Sequence, residues 1–249
     1  MKLLLFLALL PAVLLIIYIY CKDKVEKEPL SLLSLLFILG GLTTIPAAIS
    51  ELAFGELNKL FFTEGSVTFM LIEDFLIVAL SEEAGKFLVM KLLTWRSRHF
   101  NFTFDAVVYA VVASLGFAAF ENVVYVLSGN VGTAIMRGLL AVPGHAIDGV
   151  FMGCYYGIAR KCKALGDENG AKRNLFKSLA VPVITHGFYD FCLDVSSTSG
   201  IFLLVFFAFE IIVTVAAVKK VNKLSRTDES LTPAYLTDEQ IPTDDQIRM

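Results

Sequence analysis

A chain of 249 residues with 56% apolar and 18% charged side chains and a mean hydropathy of +0.70 is built for hydrocarbon; a soluble domain carries about 25% charged residues. That composition excludes a soluble enzyme, a nucleic-acid binder and a disulfide scaffold. The net charge of −3 adds little, because the placement of Lys and Arg, not the sum of charges, orients a membrane chain.

A helix crossing roughly 30 Å of hydrocarbon needs about 20 mostly apolar residues. In chain order, seven stretches are predicted to span: 3–20, 30–50, 69–93, 104–128, 133–159, 175–194 and 200–218. The first is followed directly by Lys22 and Lys24 with no small-residue cleavage site, so it reads as a retained anchor rather than a signal peptide. Between the second and third, Phe54, Leu57, Leu60 and Phe61 recur at spacings of three and four, which predicts a short helix over 51–65 lying in the interface. Span three is the least apolar, and Pro143 is expected to kink span five. Gly116, Gly138, Gly144 and Gly149 are expected to let helices approach closely. From residue 225 onward come six acids, two bases and two prolines, a solvated and disordered cytoplasmic tail by composition. The expected organisation is an all-α polytopic membrane helix bundle over 1–224 with an acidic tail over 225–249.

Orientation comes from the basic residues. Lys22, Lys24 and Lys27 follow span one; Lys91, Arg96 and Arg98 close span three. Arg160, Lys161, Lys163, Lys172, Arg173 and Lys177 lie between spans five and six, and Lys219, Lys220, Lys223 and Arg226 follow span seven. These are alternate connections, so the N-terminus is expected outside and the C-terminus inside the cell membrane. Cys21, Cys154, Cys162 and Cys192 show no metal or redox spacing and read as free thiols.

Ionisable residues inside spans are expensive, and each is a candidate functional group. With a rise of about 1.5 Å per residue, Glu82, Glu83 and His186 lie roughly 15 Å from the cytoplasmic face, and His145 about 18 Å from the outer face. Three helices thus deliver two carboxylates and two imidazoles near the midplane. Lys86, four residues after Glu82, shares its helical face. Asp148 is three residues after His145 and Asp190 four after His186, so each ring has a carboxylate one turn away to hold its tautomer. Glu121, Asn122 and Tyr125 form a second polar cluster in span four, most simply an interhelical contact. Glu73 and Asp74 are expected at the outer interface with no chemical role.

Peptide hydrolysis uses such a set. A carboxylate takes a proton from water and passes it to the leaving amine. The histidines polarise the carbonyl directly or hold a Zn²⁺ ion that does so, together with Glu82 or Glu83. Spacing leaves metal and metal-free chemistry both open. Glu83 is the favoured base, since Glu82 is better spaced to pair with Lys86. Two other readings use the same residues: a proton-coupled transporter and a non-catalytic scaffold that binds transmembrane helices.

The ordered motifs carry a resemblance. Tyr-Cys-Lys-Asp-Lys-Val-Glu-Lys-Glu-Pro at 20–29, Glu-Glu-Ala-Gly-Lys at 82–86, Phe104-Asp105, Gly116 to Tyr125, His145-Ala-Ile-Asp148 and His186-Gly-Phe-Tyr-Asp190 together resemble the PrsW family of intramembrane proteases, related to the CAAX-prenyl endopeptidases. The resemblance implies a site buried among transmembrane helices and a first (site-1) cut in single-pass membrane proteins, anti-sigma factors above all. It implies catalytic roles for Glu82, Glu83, His145 and His186, with Glu121, Asp148 and Asp190 supporting. The implied partners are a single-pass membrane protein and lipid, with no nucleic acid.

Overall fold

The computed structural model describes residues 2–128 and 131–231, where the backbone is helical almost throughout. The chain runs through α1 (Lys2–Lys22), α2 (Leu30–Leu42), α3 (Thr44–Phe61), α4 (Val67–Ile72), a π-helical segment (Glu73–Ala79), α5 (Leu80–Thr94), α6 (Asp105–Ser128), α7 (Val131–Leu139), α8 (Ala141–Ala164), α9 (Glu168–Ser196) and α10 (Ile201–Leu224). Among the described residues, the only β pairing is an isolated bridge between Phe102 and Ser230. Helices satisfy their own backbone groups, which hydrocarbon demands of any single segment.

Among the described residues, four helical runs are long and apolar enough to cross a membrane: Leu5–Lys22, Leu30–Phe61, Asp105–Leu127 and Ile201–Leu224. The other three expected spans are also helical, but they carry the ionisable residues and are correspondingly less apolar. Two local expectations change. No separate interfacial helix forms over 51–65, because helix continues from Leu30 to Phe61 with one irregular residue, Thr43. Pro46 has no N–H for the Leu42 carbonyl, and the Thr43 and Thr44 hydroxyls donate back to the Gly40 and Gly41 carbonyls at 2.6 and 2.8 Å. The second change lies in span five, which is two helices broken at Leu140 (φ −119°, ψ −60°). Pro143 lies in the first turn of α8, where a missing N–H costs nothing. Its ring crowds the carbonyl four residues earlier, at Leu139, where α7 ends.

α6 is the central helix. Of its apolar stretch 78% is buried, against 17% in α1 and in α10, whose remaining faces are left for lipid. α8 meets α6 along Gly149, Gly153 and Gly157; a Cβ on Gly153 would stand 2.5 Å from the Ala106 carbonyl oxygen and from Val107 Cα. Such backbone contact replaces the hydrophobic effect as the packing force between helices in lipid. Gly144 has no such role, its nearest neighbour being the Tyr189 ring at 3.7 Å.

The segments following α1, α5, α8 and α10 meet at one end of the bundle. Lys22 Nζ donates to Asn222 at 2.6 Å, Asn101 donates to Glu26 at 2.8 Å, and Lys161 pairs with Glu229. The basic residues of these four connections therefore share an end. Ser225–Leu231 lies along residues 101–104, with Thr103 N–H donating to the Glu229 carbonyl at 3.0 Å and Leu231 N–H to that of Asn101 at 2.7 Å. The remainder of the expected disordered tail, 232–249, lies outside the described residues.

Candidate active site

Glu82, Glu83 and Lys86 occupy the first two turns of α5, His145 the second turn of α8, and His186 the middle of α9. One ligand atom from each of Glu82, Glu83, His145 and His186 lies within 4.8 Å of the others, and all four residues are buried. The convergence expected from depth alone is present in the fold.

The π-helical segment helps make it. Its wider turn brings Phe75 Cα to 2.9 Å from where a Cβ on Gly187 would stand, with the Phe75 ring at 2.6 Å. Only glycine beside His186 permits that approach, which seats α9 against the chain leading into Glu82 and Glu83. π-Helical turns concentrate at functional sites, and no sequence spacing signalled this one.

Lys86 is wholly buried and binds both carboxylates, Glu83 Oε1 at 2.7 Å and Glu82 Oε2 at 3.1 Å. Its Nζ also lies 3.1 Å from His145 Nδ1 and 4.0 Å from the centre of the Phe117 ring. An ammonium only donates, so Nδ1 accepts and the His145 ring proton is on Nε2, which faces Glu121 Oε2 at 3.1 Å. His186 is held between carboxylates, with Nδ1 3.0 Å from Glu83 Oε1 and Nε2 3.2 Å from Asp190 Oδ2. The i,i+4 partner expected for His186 is therefore in place. For His145 the carboxylate comes from α6 instead, and Asp148 accepts a hydrogen bond from Thr185 of α9. Asn122 donates to the Ala8 carbonyl at 2.8 Å and accepts from Arg137 at 3.0 Å.

A cavity of about 540 Å³ reaches this cluster. Glu82, His145, His186, Glu121, Asp148 and Asp190 line it, whereas Glu83 does not. Further lining comes from α7, the C-terminal part of α9 and the start of the π-helical segment, at the end of the bundle away from the basic connections. Glu73 and Asp74, expected to be inert interface residues, also line it, as does Glu51. The cavity thus brings these carboxylates and both histidines onto one space.

Arg137 was not legible as a site residue. It pairs with Glu121 Oε2 at 2.7 Å, the oxygen that faces His145, and stacks 4.0 Å from the Tyr125 ring. Within an apolar stretch, one arginine gave no sign of which carboxylate it would meet. Its loss should release Glu121 and let the His145 ring turn. We expect Arg137→Met to lower proteolytic turnover about 10–100-fold, as loss of an orienting partner does, with the protein's melting temperature little changed. Turnover equal to wild type would remove Arg137 from the site.

The donor set fits a divalent transition ion: two imidazoles and two carboxylates converge, and Glu83 Oε2 is buried without a hydrogen-bond partner. Lys86 lies among these donors, so an ion and the ammonium compete for the same acceptors.

Carboxylates and imidazoles enclosed by apolar helices, yet reached by a polar cavity, define the class: a hydrolytic centre embedded in a membrane bundle. The chain belongs to the PrsW family, whose description is intramembrane metalloprotease and whose model matches residues 28–217. It is 33% identical over 213 residues to Protease PrsW of Oceanobacillus iheyensis, covering 86% of this chain and 93% of that protein. It is 35% identical over 196 residues to Protease PrsW of Geobacillus kaustophilus (79% and 82%) and 32% identical over 199 residues to that of Bacillus subtilis (80% and 86%). No solved structure matches the chain. The protein is an intramembrane peptidase and a multi-pass protein of the cell membrane, acting on a protein substrate.

Proposed function

We propose that the chain crosses the membrane seven times with its N-terminus outside, and makes the first cut in single-pass membrane proteins on their outer side. Supporting this topology, the basic connections meet at one end while the site cavity is lined from the other. Anti-sigma factors are the substrate kind that the family resemblance suggests. The observation that carries the proposal is the convergence of a buried carboxylate and two imidazoles on one cavity: Glu82, His145 and His186 all line it.

In this reading Glu82 takes the proton from the attacking water and delivers it to the leaving amine. Glu82 replaces Glu83 as the favoured base because it faces the cavity, whereas Glu83 Oε1 is occupied by both Lys86 and His186. Glu83 holds Lys86 and His186 in position. His145 and His186, which line the cavity, stand where they can polarise the scissile carbonyl, while Lys86, whose three N–H groups meet Glu82, Glu83 and His145, holds those side chains in place. Glu121 and Asp190 orient the two rings, and Arg137 orients Glu121. A Zn²⁺ ion held by His145, His186 and Glu82 or Glu83 would supply Lewis-acid polarisation.

The test compares membrane-protein N-termini by mass spectrometry in cells carrying wild type or Glu82→Gln at equal levels. New termini on the outer side of single-pass proteins, present only with wild type, are expected. Identical termini under several stresses would remove the proposal. Purified wild type with one such substrate, with and without a chelator, then decides the metal.

A further inference from the structure

A second group of carboxylates lies at the basic end of the bundle, outside the site described above. Asp23 follows α1, Asp105 opens α6, and Asp228 lies in the segment beyond α10; one oxygen of each lies within 4.8 Å of the others. Asp23 is 1% exposed, and neither of its side-chain oxygens has a hydrogen-bond partner. Asp105 is fully buried, and its Oδ1 is likewise unpartnered.

The geometry is held from outside the cluster. Asp105 Oδ2 accepts from the backbone N–H groups of Phe102 and Asn101 at 2.7 and 3.1 Å. Asp228 Oδ1 accepts from the Phe104 N–H and the Thr103 hydroxyl at 2.8 and 2.9 Å. Glu28, also buried, accepts from the Tyr109 hydroxyl beside them. The Lys27 ammonium, four residues after Asp23, donates to the main-chain carbonyls of Tyr20 and Asp23.

We propose that Asp23, Asp105 and Asp228 bind a hard divalent cation, Mg²⁺ or Ca²⁺, which clamps Ser225–Leu231 onto the ends of α1 and α6. An all-carboxylate set without nitrogen or sulfur is the chemistry of these ions. Three elements far apart in the chain contribute one carboxylate each, so the ion joins the C-terminal segment to the membrane body. The inference does not depend on the protease mechanism.

Arg226 is exposed and lies two residues before Asp228, so tryptic cleavage after it requires the segment to leave its seat. Full-length protein in detergent is digested with Ca²⁺, with Mg²⁺, or with chelator at matched ionic strength, and the cut after Arg226 is followed by mass spectrometry. One of the two ions should slow that cut about tenfold at ten times its Kd. Asp105→Asn and Asp228→Asn should be cut at the chelated rate in every condition, whereas Glu82→Gln should keep the protection. Asp228 is half-buried and beyond the last helix, so its variant folds even if Asp105→Asn does not. A wild-type rate indifferent to both ions overturns the proposal. Protection that survives Asp228→Asn overturns it as well.

Discussion

Glu82→Gln is expected to lower proteolysis by about 10²–10⁴-fold, the contribution of a general base, while leaving the melting temperature close to wild type. Glutamine keeps the size of the side chain and its contact with Lys86, and Lys86 retains Glu83 at 2.7 Å. Glu83→Gln should behave differently. Glu83 and Lys86 are fully buried at 2.7 Å, and Glu82 at 3.1 Å only partly replaces the closer carboxylate, so the loss approaches the cost of about 3–5 kcal/mol for breaking a buried pair. His186 Nδ1 is left at best with a neutral amide oxygen, a weaker acceptor than the carboxylate it faces at 3.0 Å. Glu83→Gln should therefore lose both stability and activity. Paired thermal melts and single-turnover cleavage assays separate the two. If Glu83→Gln melts like wild type and Glu82→Gln still cuts, the roles assigned here are reversed.

The second large effect falls on a residue with no chemistry of its own. Gly187→Leu should abolish proteolysis and markedly lower the yield of folded protein. A side chain there meets the Phe75 ring at 2.6 Å and the Phe75 backbone at 2.9 Å. Overpacking of this kind costs about 1–3 kcal/mol or more where backbone must move. The movement separates α9 from the π-helical segment and draws His186 away from Glu83. Gly187→Ala should be milder, and Phe75→Ala should restore part of its loss, because ring atoms are the nearest obstruction. Cleavage rate in the Gly187→Ala/Phe75→Ala pair is the measurement; no recovery would place the site's assembly elsewhere.

Much of this molecule is legible in one dimension because hydrocarbon allows so few solutions. Composition and the length of the apolar runs establish a helical membrane protein. Depth along those runs brings Glu82, Glu83, His145 and His186 to one level, and helical spacing pairs Lys86 with the glutamates and Asp190 with His186. Contacts at i+3 and i+4 belong to one helix and need no tertiary information. Contacts between helices depend on how far each is rotated and how closely it approaches, and those are set by backbone contacts such as Gly153 on Val107 and Gly187 on Phe75. Only the folded bundle could therefore decide that His145 faces Glu121 rather than Asp148, that Arg137 joins them, and that Glu82 rather than Glu83 lines the cavity. The π-helical turn before α5 belongs to the same category, whereas the break at Leu140 follows from Pro143, a residue visible in the sequence. Sequence alone determined which chemical groups this protein carries into the membrane, because lipid penalises each one. Tertiary packing decided which of them touch, because that is a matter of ångströms between helices rather than of order along a chain.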